Sequence, residues 1–527
     1  MNTELLKRLP LGTSSFEALR ESDEIYVDKT SYIYRLASNR GKYFLARPRR
    51  FGKSLLISAF ESLFKHGLRD FKGLEIEKLW KDEKNYRVVR LDFARVKPEG
   101  TFKEFQEYFD DYLDTQFQKI GFKKNGSNFF TNQLEAFLDG LPASSLVLLI
   151  DEYDTPLTEC LDDPKLFLQV RNYLSKFYSI LKSNDTALRF LFITGITKFN
   201  KTNIFSALNN LTDISLSTEY GSLLGYKEVE EYFSKYLSCA SETLKVERGK
   251  LLNQLTAHYD GFCFEENAKQ KVFAPWSLLH FFSSPERGLK DYWFESGGKP
   301  SVLAKYLQSH TLRDPMYYGK EKALALNILS GSSDVENLSD VGLLTQAGYL
   351  TIKSVEYGDT VFLGYPNKEV KRAIAQLYLE QLLNGRVPGQ VGAGPIVKVL
   401  SKDKPEAVFH ILNRLFAAID YARYPVRDES SLRAFVQVYF SGAGLNSRVE
   451  HHNAHGRADL EVEIGERTWI FEFKVSREGE SAESKLQEAL TQIQARRYGA
   501  DSASKVLYRM ALVFGLKERA FIKWGCC

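Results

Sequence analysis

Three residues near the C-terminal end of the sequence have the types and spacing of a metal-dependent nuclease site. Asp459 lies in one predicted strand, and Glu472 and Lys474 lie in the next, after a turn at Gly465. Alternate residues of a strand face the same side, so Glu472 and Lys474 share a face. Carboxylates on neighbouring strands can hold Mg²⁺, with Mn²⁺ as an alternative, and the lysine can position or deprotonate the attacking water. We predict Asp459 and Glu472 as metal ligands and all three residues as catalytic. On spacing alone, a surface hairpin with a Glu–Lys pair fits equally well.

A second group of residues, near the N-terminus, has the context of a phosphate-binding loop. The predicted strand Tyr43–Ala46 runs into Gly52, Lys53 and Ser54, and an amphipathic helix follows. A helix N-terminus offers N–H groups to phosphate oxygens, while Lys53 would reach the β- and γ-phosphates and Ser54 would bind Mg²⁺. The usual loop has Gly at the position of Arg47, so its first tight turn must be made differently here.

An apolar strand that ends in acids complements this loop. The predicted strand Leu146–Ile150 leads into Asp151 and Glu152. An Asp at this place can hold the Mg²⁺ of a nucleotide, and the next Glu can polarise the attacking water. The strand Leu188–Thr194 ends in Thr194, which either senses the γ-phosphate or caps the strand end. The same two interpretations apply to two polar residues beyond it, Thr197 and Asn200.

The chain resembles bacterial AAA-like ATPases that are fused to a PD-(D/E)XK nuclease-like domain. The segments that carry the resemblance are Tyr26–Thr30, Arg47–Leu55, Leu148–Asp154, Phe192–Lys198, Tyr259–Gly261, Ala274–Ser277, Leu343–Thr351 and Tyr365–Val370. Arg47 in place of the first glycine is itself typical of that family. The resemblance implies that ATP is bound by Arg49, Arg50, Phe51, Gly52, Lys53, Ser54, Asp151 and Thr194, with Ser54 and Asp151 on Mg²⁺ and Glu152 catalytic.

The same resemblance adds residues to the C-terminal site. A predicted helix with Leu486, Ala489, Leu490 and Ile493 on its apolar face follows the hairpin, and the match of Gln492 and Tyr498 to the family pattern implies a catalytic Gln492. The fold usually takes another acid from an upstream helix, for which Glu429 and Glu450 are both candidates. We expect three nearby histidines to face solvent or substrate instead of a metal ion: His451, His452 and His455.

The elements that position these residues predict an α/β fold class in several parts. We expect an AAA-like P-loop NTPase domain with a parallel sheet over 1–225, including an edge strand Tyr86–Phe93, and a helical, winged-helix-like region over 226–384. In that region, Leu343–Ile352 and Thr360–Gly364 are predicted strands and a helix starts near Asn367. A linker, Gly385–Gly394, with a helical connection covers 385–424, and a PD-(D/E)XK restriction-endonuclease-like α/β domain covers 425–527, with the closing strand Val506–Phe514.

Composition narrows the class of protein. The 527 residues are 44% hydrophobic and 26% charged, which is typical of globular chains. No run approaches the roughly 20 apolar residues that a membrane span needs, and no signal peptide is evident, so we expect a cytoplasmic protein. The five cysteines form no CxxC pair, and we expect Cys526 and Cys527 to form an exposed tail. The net charge of +4 neither supports nor excludes nucleic acid.

These observations favour an ATP-regulated nuclease. ATP and nucleic acid are the expected partners, with DNA favoured over RNA, a homo-oligomer left open, and defence against foreign DNA as an association with the family. The alternative is an NTPase switch that binds nucleic acid or a protein without cutting it. A third hypothesis is a signalling ATPase whose middle region drives oligomerisation.

Overall fold

Apolar strands flanked by helices build the first sheet of the computed structural model. The structure describes residues 6–98, 100–124, 129–198, 205, 208, 210–294, 301–310, 315–319, 322–330, 339–383, 385, 393–402, 404–445, 447–453, 456–495 and 506–527. The strands of this sheet are β1 (Gly41–Ala46), β2 (Arg87–Asp92), β3 (Leu146–Asp151), β4 (Leu188–Gly195) and β5 (Thr212–Asp213). They pair in parallel in the order β2-β3-β4-β1-β5.

Strands β1 to β4 were predicted, whereas the two-residue strand β5 was not. Every residue of β3 and β4 is buried, as expected where helices cover both faces of a parallel sheet. β2, with charges interleaved in its sequence, lies at an edge, as predicted. The accompanying helices are Phe16–Glu21, Thr30–Ala37, Lys53–His66, Ile76–Leu79, Phe102–Gln118, Phe130–Asp139, Thr155–Thr158 and Pro164–Ser183, with 3-10 turns at Phe93–Arg95, Asp185–Ala187 and Thr218–Tyr220.

The middle of the chain is mainly helical. Its helices are Val229–Tyr232, Ser234–Leu244, Arg248–Tyr259, Pro275–Ser283, Ser301–Ser309, Pro315–Gly319, Leu326–Ser330, Asp340–Gln346 and Lys368–Leu382, with a 3-10 turn at Pro285–Arg287. A short hairpin joins β6 (Phe262–Cys263) to β7 (Lys271–Val272), and a small antiparallel sheet has the order β8 (Lys322–Ala325), β10 (Thr360–Gly364), β9 (Thr351–Glu356).

The predicted strand Leu343–Ile352 is wrong over most of its length. Ser339 caps a helix there, since its hydroxyl accepts a hydrogen bond from the N–H of Gly342 at 3.0 Å. This helix ends before Gly348, which has a φ of +85°, and the strand begins only at Thr351. The predicted partner strand Thr360–Gly364 and the helix near Asn367 are confirmed, whereas β8 was not predicted.

The C-terminal sheet combines hairpins with one parallel crossover. Its strands are β11 (Ser447–Asn453), β12 (Gly456–Ile464), β13 (Arg467–Ser476), β14 (Val506–Gly515) and β15 (Ala520–Cys526), paired in that order. Only the β13–β14 pair is parallel among these described pairings, because the helix Ala482–Ala495 crosses between the two strands. The predicted β12–β13 hairpin is confirmed.

The predicted closing strand Val506–Phe514 is present as β14, but it does not close the sheet. β15 follows it, so Cys526 lies in a strand opposite Met510 and Cys527 donates its N–H to the carbonyl of Arg509. The expectation of a simple tail at these cysteines was therefore wrong, although both residues are exposed.

Three helices that precede this sheet in the chain pack against it. They are Ala393–Lys402, Pro405–Ala418 and Glu429–Gly442. Trp469 Nε1 donates to the carbonyl of Leu400 at 2.8 Å, and Asn413 exchanges two hydrogen bonds with the main chain of Phe521. Residues 386–392 of the predicted linker lie outside the described residues.

The chain divides into two compact units. They comprise Met1–His310 with Lys320–Val370, and Thr311–Gly319 with Lys371–Cys527. Over the part of the chain that the structure describes, no helix is both long and apolar enough to cross a membrane.

Candidate functional site

The loop between β1 and the helix Lys53–His66 encloses the Lys53 amine. Gly52 precedes this helix with a φ of +99°, a conformation that favours glycine. Lys53 Nζ donates hydrogen bonds to the carbonyls of Arg47 and Pro48, both at 2.9 Å. Burial lowers the pKa of this amine. The lysine is thus held across the loop at the start of a helix, where phosphate oxygens are favoured.

Arg47, at the position of the usual glycine, connects the loop to a distant segment of the chain through hydrogen bonds. Its side chain is fully buried, and its guanidinium donates to three main-chain carbonyls. These are the carbonyl of Ser215, that of Ala46 at 3.0 Å and that of Tyr220 at 3.3 Å. It also lies 4.5 Å from the ring centre of Phe264. The departure from the glycine pattern therefore joins the end of β1 to the segment that follows β5.

The acidic residues predicted at the end of β3 lie beside this loop. Asp151 is buried and its Oδ1 accepts a 2.5 Å hydrogen bond from the hydroxyl of Thr194 at the end of β4. Glu152 has a φ of +52°, a strained conformation for a glutamate, and accepts from the Thr155 hydroxyl at 3.2 Å. Burial raises the pKa of Glu152. The electrostatic partners of the Lys53 amine include Asp151 and Glu152.

The two threonines at the end of β4 differ in their contacts. Thr194 contacts Asp151, whereas Thr197 donates from both its N–H and its hydroxyl to Asp154 at 2.8 Å. Thr197 therefore fixes the turn after β4, as the capping interpretation predicts. Asn200 lies outside the described residues.

A cavity of about 370 Å³ opens over the loop. The lining includes the polar residues Arg49, Lys53, Ser54 and Glu152 and the largely apolar residues Pro10, Leu11, Tyr226, Pro275, Trp276 and Leu279. The apolar and aromatic side chains suit a planar base, and the polar residues suit a phosphate chain.

Two of the predicted cofactor-binding residues contact aromatic rings. Arg50 lines the cavity together with Trp276, and its guanidinium is 4.1 Å from the ring centre of that residue. Phe51 is buried, with its ring 5.0 Å from those of both Phe262 and Phe264. Phe51 can therefore meet a ligand through its main chain alone.

In the C-terminal unit, Lys474 is the centre of a polar cluster. Its Nζ donates to Gln492 Oε1 at 3.0 Å and lies 3.6 Å from Glu472 Oε1 and 3.5 Å from Glu488 Oε1. The side chains of Glu472 and Lys474 are only 2% and 14% exposed. Phe471 and Phe473 lie in the core on the opposite face of β13, as expected. Glu488 was missed, although its spacing of one helical turn from Gln492 places it on the same helix face.

Asp459 is engaged through both carboxylate oxygens. Oδ2 accepts from the Phe473 N–H at 2.9 Å, and Oδ1 lies 3.3 Å from Nη1 of Arg433. Burial raises the pKa of Asp459. Arg433 was also missed, because no pattern within its own helix indicates which strand residue it meets.

The structure describes the side chain of one of the two candidate upstream acids. Glu429, at the start of its helix, accepts a hydrogen bond from the Val475 N–H at 3.3 Å and so lies beside the strand of Glu472. The side chain of Glu450 lies outside the described residues, as do those of His451 and His452, and so do residues His455 and Tyr498.

The carboxylates around β13 are suitable ligands for Mg²⁺. Asp459, Glu472 and Glu429 supply hard oxygen atoms, which this ion prefers. Among the described residues, no three His, Cys, Asp or Glu side chains already converge on one point. Mg²⁺ needs no such cage, since it keeps several waters and is commonly held by one or two carboxylates plus substrate phosphates. The donor set therefore fits the ion.

Two regions of the chain match known protein families. Residues 10–205 match the AAA-ATPase-like family, described as "Predicted AAA-ATPase", and residues 427–524 match the PD-(D/E)XK nuclease superfamily. An uncharacterized protein in the vnfD 5'region of Azotobacter chroococcum mcd 1 is 31% identical over 486 residues, which cover 89% of each chain. The predicted family and the predicted α/β fold class are confirmed.

Two solved structures are similar only at a low level. One is a Signal Transduction ATPase with Numerous Domains (STAND) protein with a tetratricopeptide repeat sensor from Pyrococcus horikoshii, 12% identical, with 79% of this chain and 54% of that chain covered. The other is a DNA replication initiation factor, 11% identical, with 78% and 91% covered. Both TM-scores are 0.26, too low to carry an argument.

Proposed function

Because the chain belongs to the family that joins an AAA-ATPase-like domain to a PD-(D/E)XK nuclease-superfamily domain, we propose that it is an ATP-regulated nuclease. ATP would be bound and hydrolysed at the Lys53 loop. The ATPase cycle would control metal-dependent cleavage of nucleic acid at Asp459, Glu472 and Lys474.

The burial of Glu472 and Lys474 is the observation that carries the cleavage proposal. A charged pair on a surface hairpin would be solvated, but these side chains are 2% and 14% exposed. Burying an acid and a lysine costs free energy, which their mutual contact and Gln492 offset only in part. Such clusters are common at functional sites, where the chemistry requires them.

The residues around β13 have separable roles in this proposal. Asp459 and Glu472 would hold Mg²⁺ or Mn²⁺, with Glu429 as the further acid from the upstream helix. A bound ion would lower the pKa of its water and stabilise the charge on the scissile phosphate. Lys474, held by Gln492 at 3.0 Å, would orient the attacking water.

The ATP site has a corresponding division of roles. Lys53 and Arg49 would contact the phosphates, and Ser54 and Asp151 would hold the accompanying Mg²⁺. Glu152, whose pKa is raised by burial, would orient the attacking water. The Thr194 hydroxyl, 2.5 Å from Asp151, would fix that carboxylate in place.

A cleavage panel tests the proposal. Full-length protein is incubated with single-stranded DNA, duplex DNA or RNA, with Mg²⁺ or Mn²⁺, and with or without ATP. We expect cleavage, with DNA cut in preference to RNA, that is lost in Asp459→Ala while ATP turnover persists. Lys53→Ala should lose ATP turnover and change cleavage as well.

Two outcomes of the panel would contradict the proposal. If Asp459→Ala cuts as well as the parent protein, the nuclease site is wrong. If the parent binds nucleic acid but leaves every substrate intact under all conditions, the chain is an NTPase switch that does not cleave. A role in defence, a cytoplasmic location, oligomerisation and the division into four parts stay predictions.

A further inference from the structure

Arg433 pairs with one carboxylate oxygen of Asp459, a proposed metal ligand. The Asp459 Oδ2 atom is bonded at 2.9 Å to the N–H of Phe473, a main-chain group fixed in β13. The Oδ1 atom faces Nη1 of Arg433 at 3.3 Å. A main-chain N–H of a buried strand cannot withdraw, whereas a guanidinium at the end of a long side chain can. Access to Asp459 therefore depends on Arg433.

The two cations cannot hold Oδ1 together at low cost. The Asp459 and Arg433 side chains are only 20% and 16% exposed, so water screens their charges weakly. A divalent ion that binds Oδ1 would meet the guanidinium at short range and repel it. The helix Glu429–Gly442 limits where the arginine can go, because Leu432, Phe435 and Val436 anchor it in the core. The released guanidinium would remain beside the site.

A phosphate group is the partner that suits the released arginine. The planar fork of a guanidinium matches two phosphate oxygens, and such charge-assisted contacts are strong. The substrate brings phosphates to this site, so a phosphate next to the scissile one can accept both donors of the released guanidinium.

We propose that Arg433 exchanges partners during the reaction. Before metal binds, it neutralises Asp459 and keeps the metal affinity low. When metal and nucleic acid are both present, it leaves Asp459 and clamps a backbone phosphate next to the scissile one. Metal and nucleic acid then bind cooperatively, so that the site binds metal mainly when substrate is present. This inference rests on the proposed nuclease function.

The test compares Arg433→Gln with Arg427→Gln in the full-length protein. Arg427 is exposed and lies two residues before the start of the same helix, so it controls for the loss of one positive charge. Mn²⁺ affinity is measured without nucleotide by calorimetry, with Asp459→Asn as the blank for other sites. Affinity for uncut duplex DNA is measured in Ca²⁺ by fluorescence anisotropy, and cleavage is measured in Mg²⁺.

The exchange predicts effects of opposite sign in one variant. Arg433→Gln should bind Mn²⁺ about tenfold more tightly without DNA, because a repelling charge has been removed. It should bind duplex DNA about tenfold more weakly, because one charge-assisted phosphate contact is lost, and should cut more slowly. If Arg433 were merely structural, its replacement would lower the Mn²⁺ affinity, the DNA affinity and the cleavage rate together.

Each contrary result overturns a different statement. Weaker Mn²⁺ binding in Arg433→Gln, or DNA affinity equal to that of Arg427→Gln, overturns the exchange while the nuclease assignment stands. If the unaltered protein shows neither Mn²⁺ binding that depends on Asp459 nor cleavage, the proposed nuclease function itself fails, and the exchange fails with it.

Discussion

Replacing Arg47 by alanine would test whether the loop's departure from glycine is structural. The side chain is 1% exposed, and it connects three main-chain carbonyls and the ring of Phe264. Alanine leaves those carbonyls without their donors and leaves a cavity in the core. If the arginine instead served ATP directly, the same substitution would weaken binding without changing the stability of the fold.

The expected cost can be worked from the contacts. Hydrogen bonds to charged groups contribute about 1.5–3 kcal/mol each, but burying a guanidinium offsets much of this gain. The Nε atom of Arg47 is buried without a hydrogen-bond partner among the described residues, which lowers the net value of the side chain. We therefore expect Arg47→Ala to lower the free energy of unfolding by about 3 kcal/mol, at the low end for breaking a buried charged network.

Denaturant unfolding measures this cost, with Arg49→Ala as the matched control. The relevant transition is the one that ATP shifts to higher denaturant, because a ligand stabilises the unit that binds it. Arg49 lies in the same loop, partly exposed at the cavity, so its loss should cost under about 1 kcal/mol of stability while weakening ATP binding. An Arg47→Ala protein that unfolds with the parent, or that loses ATP affinity at unchanged stability, would refute the structural role.

Three further predictions follow from other contacts. Thr194→Val should slow ATP turnover about ten- to a hundredfold with little change in ATP affinity, because it removes the hydrogen bond that orients Asp151; steady-state rates and calorimetry separate the two. Gln492→Ala should slow cleavage and leave ATP turnover unchanged, because the amide of Gln492 accepts a hydrogen bond from Lys474 at the proposed cleavage site; comparing both rates in one preparation checks this. Burial raises the pKa of Glu369 to about 8, against about 4.3 in an unfolded chain, so the free energy of unfolding should fall as pH rises between these values. Glu369→Gln should reduce that fall in unfolding curves measured across the range, and an unchanged slope would contradict the assignment.

Strands β1 to β4 of the first sheet were predictable because the degree of burial of a strand is reflected in its own sequence, whereas the two-residue strand β5 was not predicted. β3 and β4 are nearly continuous in apolar residues, and every residue in them is buried. β2 carries interleaved charges and lies at the edge, where part of its surface meets water. In each case the pattern within one element reflects its own environment, which needs no knowledge of distant residues.

Two predictions failed because the local sequence did not show where an element begins or what type it is. The run around Leu343 and Leu344 is buried in a helix because Ser339 caps it, and the strand starts only after Gly348. β15 was missed because Arg519 takes the left-handed conformation at its turn, a place where glycine is the usual signal. Local composition did not indicate either boundary.

The candidate sites show the same division between local and distant information. Strand alternation placed Glu472 and Lys474 on one face, and the strand-loop-helix order placed Lys53 at a helix N-terminus. The sequence did not indicate that Arg433 would reach Asp459, that Glu488 would join Lys474, or that Arg47 would tie the loop to the segment after β5.

The sequence by itself thus determined the kinds of element and the residues within each that carry chemistry. Its periodicities, 3.6 residues for a helix and 2 for a strand, are local, so they fix which side chains share a face. Which faces then meet depends on how buried surfaces pack between elements that are far apart in the chain. Only the tertiary structure therefore showed that Arg433 contacts Asp459 and that Glu429 accepts a hydrogen bond from the main chain of β13.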